Sequence, residues 1–261
     1  MKIAFEKYHG TGNDFILVDI RNHAIPTGAD IIAELCDRSF GIGADGLIML
    51  DVSEGHDFDM RYFNADGRES TLCGNGGRCI TAFARKLGII ETEASFSAKD
   101  GIHHSKILQA NDHECLVSLS MADVVTANWT GNSIFLDTGS PHLVQLCSEL
   151  QKIDVYSEGK KLRNDPRYGP AGTNVNFIES LDGKLNIRTY ERGVEDETLS
   201  CGTGVTAAAI GWAIRDGLAS PIQLHTRGGN LKVSFNREGK IFTDIQLEGP
   251  ASYVFSGQIE L

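Results

Sequence analysis

Glu69-Ser70-Thr71-Leu72-Cys73-Gly74-Asn75-Gly76 in the first half of the chain and Glu197-Thr198-Leu199-Ser200-Cys201-Gly202-Thr203-Gly204 in the second are two versions of one pattern. Each follows a β-rich stretch that carries an arginine: Met60-Arg61-Tyr62-Phe63-Asn64 in the first case, Ile187-Arg188-Thr189-Tyr190-Glu191 in the second. The second copy has one extra residue between strand and cysteine. A weaker echo sets Gly12-Asn13-Asp14-Phe15 against Gly131-Asn132-Ser133-Ile134. Recurrence of this kind is the signature of an internal duplication. Each copy reads strand, polar loop, Cys-Gly-x-Gly, then a helix: 78–87 stopped by Gly88, and 205–215 stopped by Gly217. The second helix contains Ala207-Ala208-Ala209-Ile210-Gly211-Trp212-Ala213-Ile214, apolar nearly all round, so it is expected to be buried. Gly183, Gly239 and Asn111-Asp112 punctuate short strands. The fold class expected is α+β in two pseudo-symmetric halves. The seam should fall near residues 120–130, where the stretch 122–131 loses strong periodicity. The expected domains are 1–123, completed by the C-terminal strand 250–261, and 124–249, with the active site in the cleft between them.

Composition bounds the rest. The chain has 261 residues, 41% of them hydrophobic and 23% charged, with 29 Gly and only 6 Pro, which is the make-up of a globular protein. Its longest nearly apolar stretch, 205–214, is about half of the roughly 20 residues a membrane-spanning helix needs. The apolar run at the N-terminus is too short for a signal peptide, so a cytoplasmic location is expected. A formal net charge of −11 repels phosphate backbones and anionic lipid, so neither nucleic acid nor membrane is an expected partner. Six Cys are too sparse for a disulfide framework. Cys36, Cys79, Cys115 and Cys147 lie in ordinary packing contexts, and His103-His104 beside Gly101 reads as a solvated turn. No zinc-ligand spacing occurs, so no metal is expected.

Cys73 and Cys201 are different, because each sits at or just before a helix start. There the helix dipole and unbonded N–H groups favour negative charge and lower a thiol's pKa. The same N–H groups bind carboxylates. Two thiols on opposite sides of one carboxylate-bearing molecule suit proton removal from one face of a carbon and delivery to the other, a racemase or epimerase reaction with no cofactor. Two other classes stay open: a cysteine hydrolase with His142 as base, and a non-catalytic amino-acid-binding module.

The chain also carries His9-Gly10-Thr11-Gly12-Asn13-Asp14-Phe15, Gly41-Ile42-Gly43-Ala44-Asp45-Gly46, Phe63-Asn64-Ala65-Asp66-Gly67, Gly139-Ser140-Pro141-His142, Thr173-Asn174-Val175-Asn176-Phe177 and Tyr190-Glu191-Arg192-Gly193. With the two Cys-Gly-x-Gly blocks, their order and spacing resemble the diaminopimelate epimerases, a family independent of pyridoxal phosphate, over residues 1–250. The resemblance implies two α/β halves, each a curved, mostly antiparallel sheet wrapped round a central helix. It implies conversion of LL- to meso-diaminopimelate for lysine and peptidoglycan precursors, by a homodimer. It places the acid/base pair at Cys73 and Cys201, and backbone donors to the reacting carboxylate at Gly74, Asn75, Gly202 and Thr203. Substrate contacts fall on Asn13, Asn64, Asn174, Glu191 and Arg192, and His142 and Glu191 adjust the thiols' protonation. The scaffold is similar too to proline and hydroxyproline racemases and a related isomerase. Three departures stand out: Gly46 where many members have Gln, Ser140 where many have Asn, and a loop 193–197 longer by one residue.

Overall fold

The computed structural model describes every residue except Ala127, Asp182 and Gly183; the strand break read at Gly183 lies outside the described residues. The chain divides into two compact units, Met1–Leu119 with Gly249–Leu261, and Ser120–Glu248. The second unit starts at Ser120 because the chain from there pairs with its own strands. The Met121 amide donates to Ile245 O at 2.8 Å, and Val124 and Val125 pair with Phe242 and Ile241.

In the first unit the order is β1 (Lys2–Gly10), β2 (Asn13–Asp19), α1 (Ala29–Cys36), β3 (Gly46–Asp51), β4 (Phe58–Asn64), β5 (Glu69–Ser70), α2 (Gly74–Lys86), β6 (Glu93–Ala98), β7 (Gly101–Ala110) and β8 (Glu114–Ser120). The second has β9 (Val124–Val125), β10 (Ser133–Asp137), β11 (Pro141–Leu146), α3 (Val155–Arg163), β12 (Asn174–Leu181), β13 (Lys184–Glu191), β14 (Asp196–Thr198), α4 (Gly202–Asp216), β15 (Ile222–Thr226), β16 (Gly229–Glu238) and β17 (Ile241–Glu260), whose last residues belong to the first unit. The pairing is duplicated ladder for ladder. β2 runs parallel to β3 as β11 does to β12, and β4 parallel to β6 as β13 does to β15. The remaining named ladders are antiparallel. In the first unit β1 pairs with both β2 and the end of β17, and β17 pairs with β8, so the sheet closes on itself around α2.

This sheathing explains the composition of the helices. Ala207, Ala208, Ala209, Ile210 and Ala213 of α4 are fully buried against Ile134, Val144, Ile178, Ile187 and Leu224 of the surrounding strands. Small residues let the sheet approach closely, and each fully buried large aliphatic contributes roughly 1.5–3 kcal/mol. The helices begin earlier than 78 and 205, at Gly74 and Gly202. Their glycine-rich first turns have poor helical propensity and are held by packing.

Register corrects two local readings. The hairpin turn Thr11-Gly12, both with positive φ (50° and 88°), precedes β2; in the parallel ladders Phe15 stands opposite Gly46 as His142 stands opposite Asn174, so two residues earlier Asn13 corresponds to Ser140 and the echo at 131–134 is out of register. His103 and His104 lie within β7, opposite Phe96 and Ser95, and the turn is Lys99-Asp100. The repeated arginines pin the hairpins that lead to the cysteines. Arg188 makes a two-pronged pair with Glu197, both bonds 2.7 Å, and Arg61 reaches Glu69 at 3.2 Å. The first pair is nearly buried and the second half-exposed, so the first contributes more.

α3 packs on the strand that carries Glu191 through one close approach. A Cβ on Gly159 would lie 2.4 Å from Tyr190 Cβ and 2.6 Å from Cγ. Gly159→Ala should therefore destabilise the protein by about 1–3 kcal/mol, the usual range for overpacking, as a drop in the midpoint of urea unfolding. An unchanged midpoint would contradict this packing.

Candidate functional site

Cys73 and Cys201 are the N-cap residues of α2 and α4, both with extended backbone (φ −95°, ψ 126° and φ −120°, ψ 113°). The first helical hydrogen bonds run from Gly77 N to Cys73 O at 2.7 Å and from Val205 N to Cys201 O at 2.8 Å. The N–H groups of each first turn precede that bond, at the end of a helix that favours negative charge.

In the first half, Asn13 Oδ1 accepts from Asn75 Nδ2 at 3.1 Å and from Cys73 Sγ at 3.5 Å. The sense of the Asn13 amide is fixed because its Nδ2 donates to Asp45 Oδ2 at 2.7 Å. Behind it lies a charge network in which Arg38 joins Asp14 to Asp45 and buried Lys7 reaches Asp14 at 2.7 Å. Burial works to raise the Asp14 pKa, but hydrogen bonds and charge from Arg38 and Lys7 outweigh it and hold it at about 2. Arg78 is fully buried in the second turn of α2, bonded to Gly74 O, Asn75 Oδ1, Pro250 O and Thr11 Oγ1, and forms no ion pair among the described residues. Asn64 accepts from the Tyr62 hydroxyl at 2.8 Å. The departure at Gly46 has a steric cause. A Cβ there would lie 2.4 Å from Phe63 O and 2.7 Å from the Tyr62 ring, so Tyr62 fills the space of a side chain.

The second half gathers Cys201, Thr203, Ser140, His142, Asn174 and Arg192. Cys201 Sγ is 3.5 Å from Thr203 Oγ1, which lies 2.9 Å from His142 Nε2 and 3.3 Å from Ser140 Oγ. Asn174 Oδ1 accepts from the Arg192 amide at 2.9 Å, while its Nδ2 donates to Pro141 O at 3.0 Å. The Arg192 guanidinium has no hydrogen-bond or ion-pair partner among the described residues. Glu191 accepts from Thr198 Oγ1 at 2.9 Å. Burial, with the Arg192 charge adding to it, pushes His142 down to about 3, so its ring is neutral near pH 7. His142 touches Thr203, Ser140 and Asn176, and its hydrogen bonds do not include the Cys201 sulfur. That geometry opposes a Cys–His hydrolase, which needs the imidazole on the thiol.

Sequence reading missed Arg78, the Lys7–Asp14–Arg38–Asp45 network and the buried pair Asn176 and Thr189. The available signals were an arginine inside an otherwise apolar helix and polar residues at inward positions of β12 and β13. Of the remaining thiols, Cys36, Cys79, Cys115 and Cys147 are raised by burial, Cys36 to about 12 and Cys147 to about 11, and are inert.

A duplicated α+β scaffold with a cysteine at the N-cap of the central helix of each half defines an isomerase-type architecture. Solved structures share the fold: a phenazine biosynthesis protein of the PhzF family from Bacillus anthracis (TM-score 0.77, 17% identity, all of both chains) and a hydroxyproline epimerase from Agrobacterium vitis (TM-score 0.74, 14% identity, 100% of this chain and 93% of the other). The diaminopimelate epimerase family model matches residues 5–126 and 134–254. Diaminopimelate epimerases of Flavobacterium psychrophilum and Chlorobaculum tepidum are 51% and 41% identical, each over 97% of this chain and at least 98% of the relative. The chain belongs to the diaminopimelate epimerase family.

The buried neutral histidine has a pH signature. An unfolded histidine titrates near 6.5, whereas His142 in the fold does so at about 3. Its contribution to stability is complete above about pH 6.5 and is lost as pH falls toward 3, at a slope of at most about 1.4 kcal/mol per pH unit. The Asp14 contribution is lost only below its unfolded value of 3.8. His142→Phe, the residue found at the matching position Phe15, should therefore lose less stability between about pH 6.5 and pH 4.5 than the wild type in urea titrations. Equal losses would show that His142 is not held neutral.

Proposed function

We propose that the protein converts LL-diaminopimelate to meso-diaminopimelate by two-base proton transfer, with Cys73 and Cys201 as the acid/base pair. One sulfur, as thiolate, takes the α-proton; the other, as thiol, delivers a proton to the opposite face. Inversion requires both sulfurs at one carbon, and duplication supplies two equivalent thiols. The observation that carries the reading is that each half ends its hairpin in a cysteine at the N-cap of its central helix. The backbone N–H groups of Gly74, Asn75, Gly202 and Thr203 hold the reacting carboxylate and stabilise the enediolate that forms when the proton leaves.

Asn13, Asn64, Asn174 and Arg192 bind the rest of the substrate. Arg192, a cation with no partner among the described residues, pairs the distal carboxylate in a two-pronged way. His142, being neutral, acts as a hydrogen-bond donor near Cys201, and Glu191 adjusts the protonation of the pair. No cofactor takes part. The enzyme works in the cytoplasm as a homodimer and supplies lysine and peptidoglycan precursors, a placement that rests on family membership.

Cys73→Ala and Cys201→Ala should each lower turnover of LL-diaminopimelate by about 10²–10⁴-fold or more, the usual worth of one acid/base group, with folding preserved by circular dichroism. A single variant with near wild-type turnover contradicts the pair. Arg192→Ala should reduce kcat/KM by on the order of a hundredfold, since a hydrogen bond to a charged group is worth roughly 1.5–3 kcal/mol. Arg192→Lys should fall between, having lost the planar fork. Turnover of Arg192→Ala within threefold of wild type would remove this arginine from the substrate site, a loss of only about 0.6 kcal/mol.

A further inference from the structure

The ladders set three positions beneath one cysteine against three beneath the other. Phe15 lies opposite Gly46 as His142 lies opposite Asn174, and Ile48 faces Tyr62 as Asn176 faces Thr189. A Cβ on Gly76 would meet Ile48 Cδ1 at 3.0 Å, and one on Gly204 would meet Asn176 Oδ1 at 2.3 Å, so both glycines admit the same neighbour. Beneath Cys73 the trio is Phe15, Ile48 and Tyr62, with the Phe15 and Tyr62 rings edge to face at 5.8 Å and neither Phe15 nor Ile48 carrying a polar side-chain atom. Beneath Cys201 it is His142, Asn176 and Thr189, all buried and hydrogen-bonded in a chain.

The sense of every bond in that chain follows from its ends. Asn176 Nδ2 donates to the Leu143 carbonyl at 3.2 Å, and a carbonyl can only accept. The other amide atom is therefore the oxygen, and it accepts from Thr189 Oγ1 at 3.0 Å. The second Nδ2 hydrogen meets His142 Nδ1 at 3.0 Å, so Nδ1 is the bare nitrogen and Nε2 carries the proton. An imidazolium would set N–H against N–H here, and the positive charge of Arg192 opposes it as well. Nε2–H then donates to Thr203 Oγ1 and Ser140 Oγ, both 2.9 Å away. Ser140 Oγ receives from Asn174 Nδ2 at 3.4 Å and lies 3.3 Å from Thr203 Oγ1, to which it donates. With donors arriving from His142 and Ser140, the hydrogen of the Thr203 hydroxyl is left for Cys201 Sγ at 3.5 Å.

We propose that Asn176, backed by Thr189, is a positioning residue that locks His142 as its Nε2–H tautomer and so aims the Thr203 hydroxyl hydrogen at the Cys201 sulfur, favouring the thiolate there. The chain has no counterpart at Phe15, Ile48 and Tyr62, so it acts on one cysteine of the two. The inference rests on the epimerase reading only in taking Cys201 as an acid/base group.

The test has two arms. In the wild type labelled with ¹⁵N-histidine, with His142 assigned by its absence from His142→Phe, the ring should show a protonated Nε2 and a bare Nδ1, unchanged between about pH 5 and pH 8. A protonated Nδ1, or an imidazolium in that range, overturns the proposal without any variant having to fold. In substrate-free enzyme, iodoacetamide alkylation of each cysteine peptide is followed by mass spectrometry against pH. Asn176→Ile, which installs the residue of the first copy, should slow Cys201 alkylation about tenfold near neutral pH, the worth of about one hydrogen bond, and leave Cys73 unchanged. Thr203→Val should shift Cys201 in the same direction. An unchanged Cys201 profile, or an equal shift of both cysteines as in general loosening, contradicts the role. Failure of the epimerase reading would be seen separately, as a protein with the expected tautomer that leaves LL-diaminopimelate unconverted.

Discussion

The hydrogen bonds from Gly77 N to Cys73 O and from Val205 N to Cys201 O decide where the two central helices begin, and much else depends on that. They make each cysteine an N-cap, preceding the first turn of its helix. Those turns are rich in glycine and would not hold a helical start alone. The surrounding sheet holds them, with Ala207, Ala208 and Ala209 buried around α4 and Cys79, Ile80 and Ala84 around α2. The hairpins β4–β5 and β13–β14 deliver the chain to the caps, pinned by Arg61–Glu69 and Arg188–Glu197. Fold and proposed chemistry thus share one requirement: a sheathed helix that starts at a cysteine.

Duplication gives two such starts, and divergence makes them unequal. The Cys73 sulfur donates to Asn13 Oδ1, an acceptor whose sense Asp45 fixes. The sulfur of Cys201 meets a hydroxyl that is itself loaded with donors. Near Cys73 a buried arginine, Arg78, sits where the second copy has Thr206, whose hydroxyl only closes back on Gly202 O at 3.0 Å. In the proposed two-base inversion each stereoisomer meets its own acid/base group, and unequal surroundings allow each group to be tuned to its own face.

How far the sequence could be read follows from these same particulars. The paired Cys-Gly-x-Gly blocks and their arginine strands disclosed the duplication, because sequence periodicity survives without knowledge of contacts. The apolar run 207–214 disclosed a buried helix. The cysteines read as helix-start residues, but the helical spans read from 78 and 205 left out the first turns at Gly74 and Gly202, where tertiary packing overrides glycine's poor propensity. The echo at 131–134 misled, because a local match carries no register; the parallel ladders, with Phe15 placed as His142 is, show that Asn13 corresponds to Ser140. Asn176 and Thr189 read as strand residues like any others, and their bonds to His142 require knowing which residues of β11, β12 and β13 stand side by side. The charge network of Lys7, Asp14, Arg38 and Asp45 joins distant segments and leaves no local pattern.

The central claim is that two groups, one on each face, carry out the inversion. The most direct measurement is the early fate of the α-hydrogen when LL-diaminopimelate is turned over in deuterium oxide. With a donor distinct from the acceptor, the first meso product carries deuterium at the inverted carbon while recovered LL substrate still holds its original hydrogen. A single base serving both faces would return substrate-derived hydrogen to the product or wash deuterium into unreacted substrate at the same rate, and that result would contradict the two-thiol account.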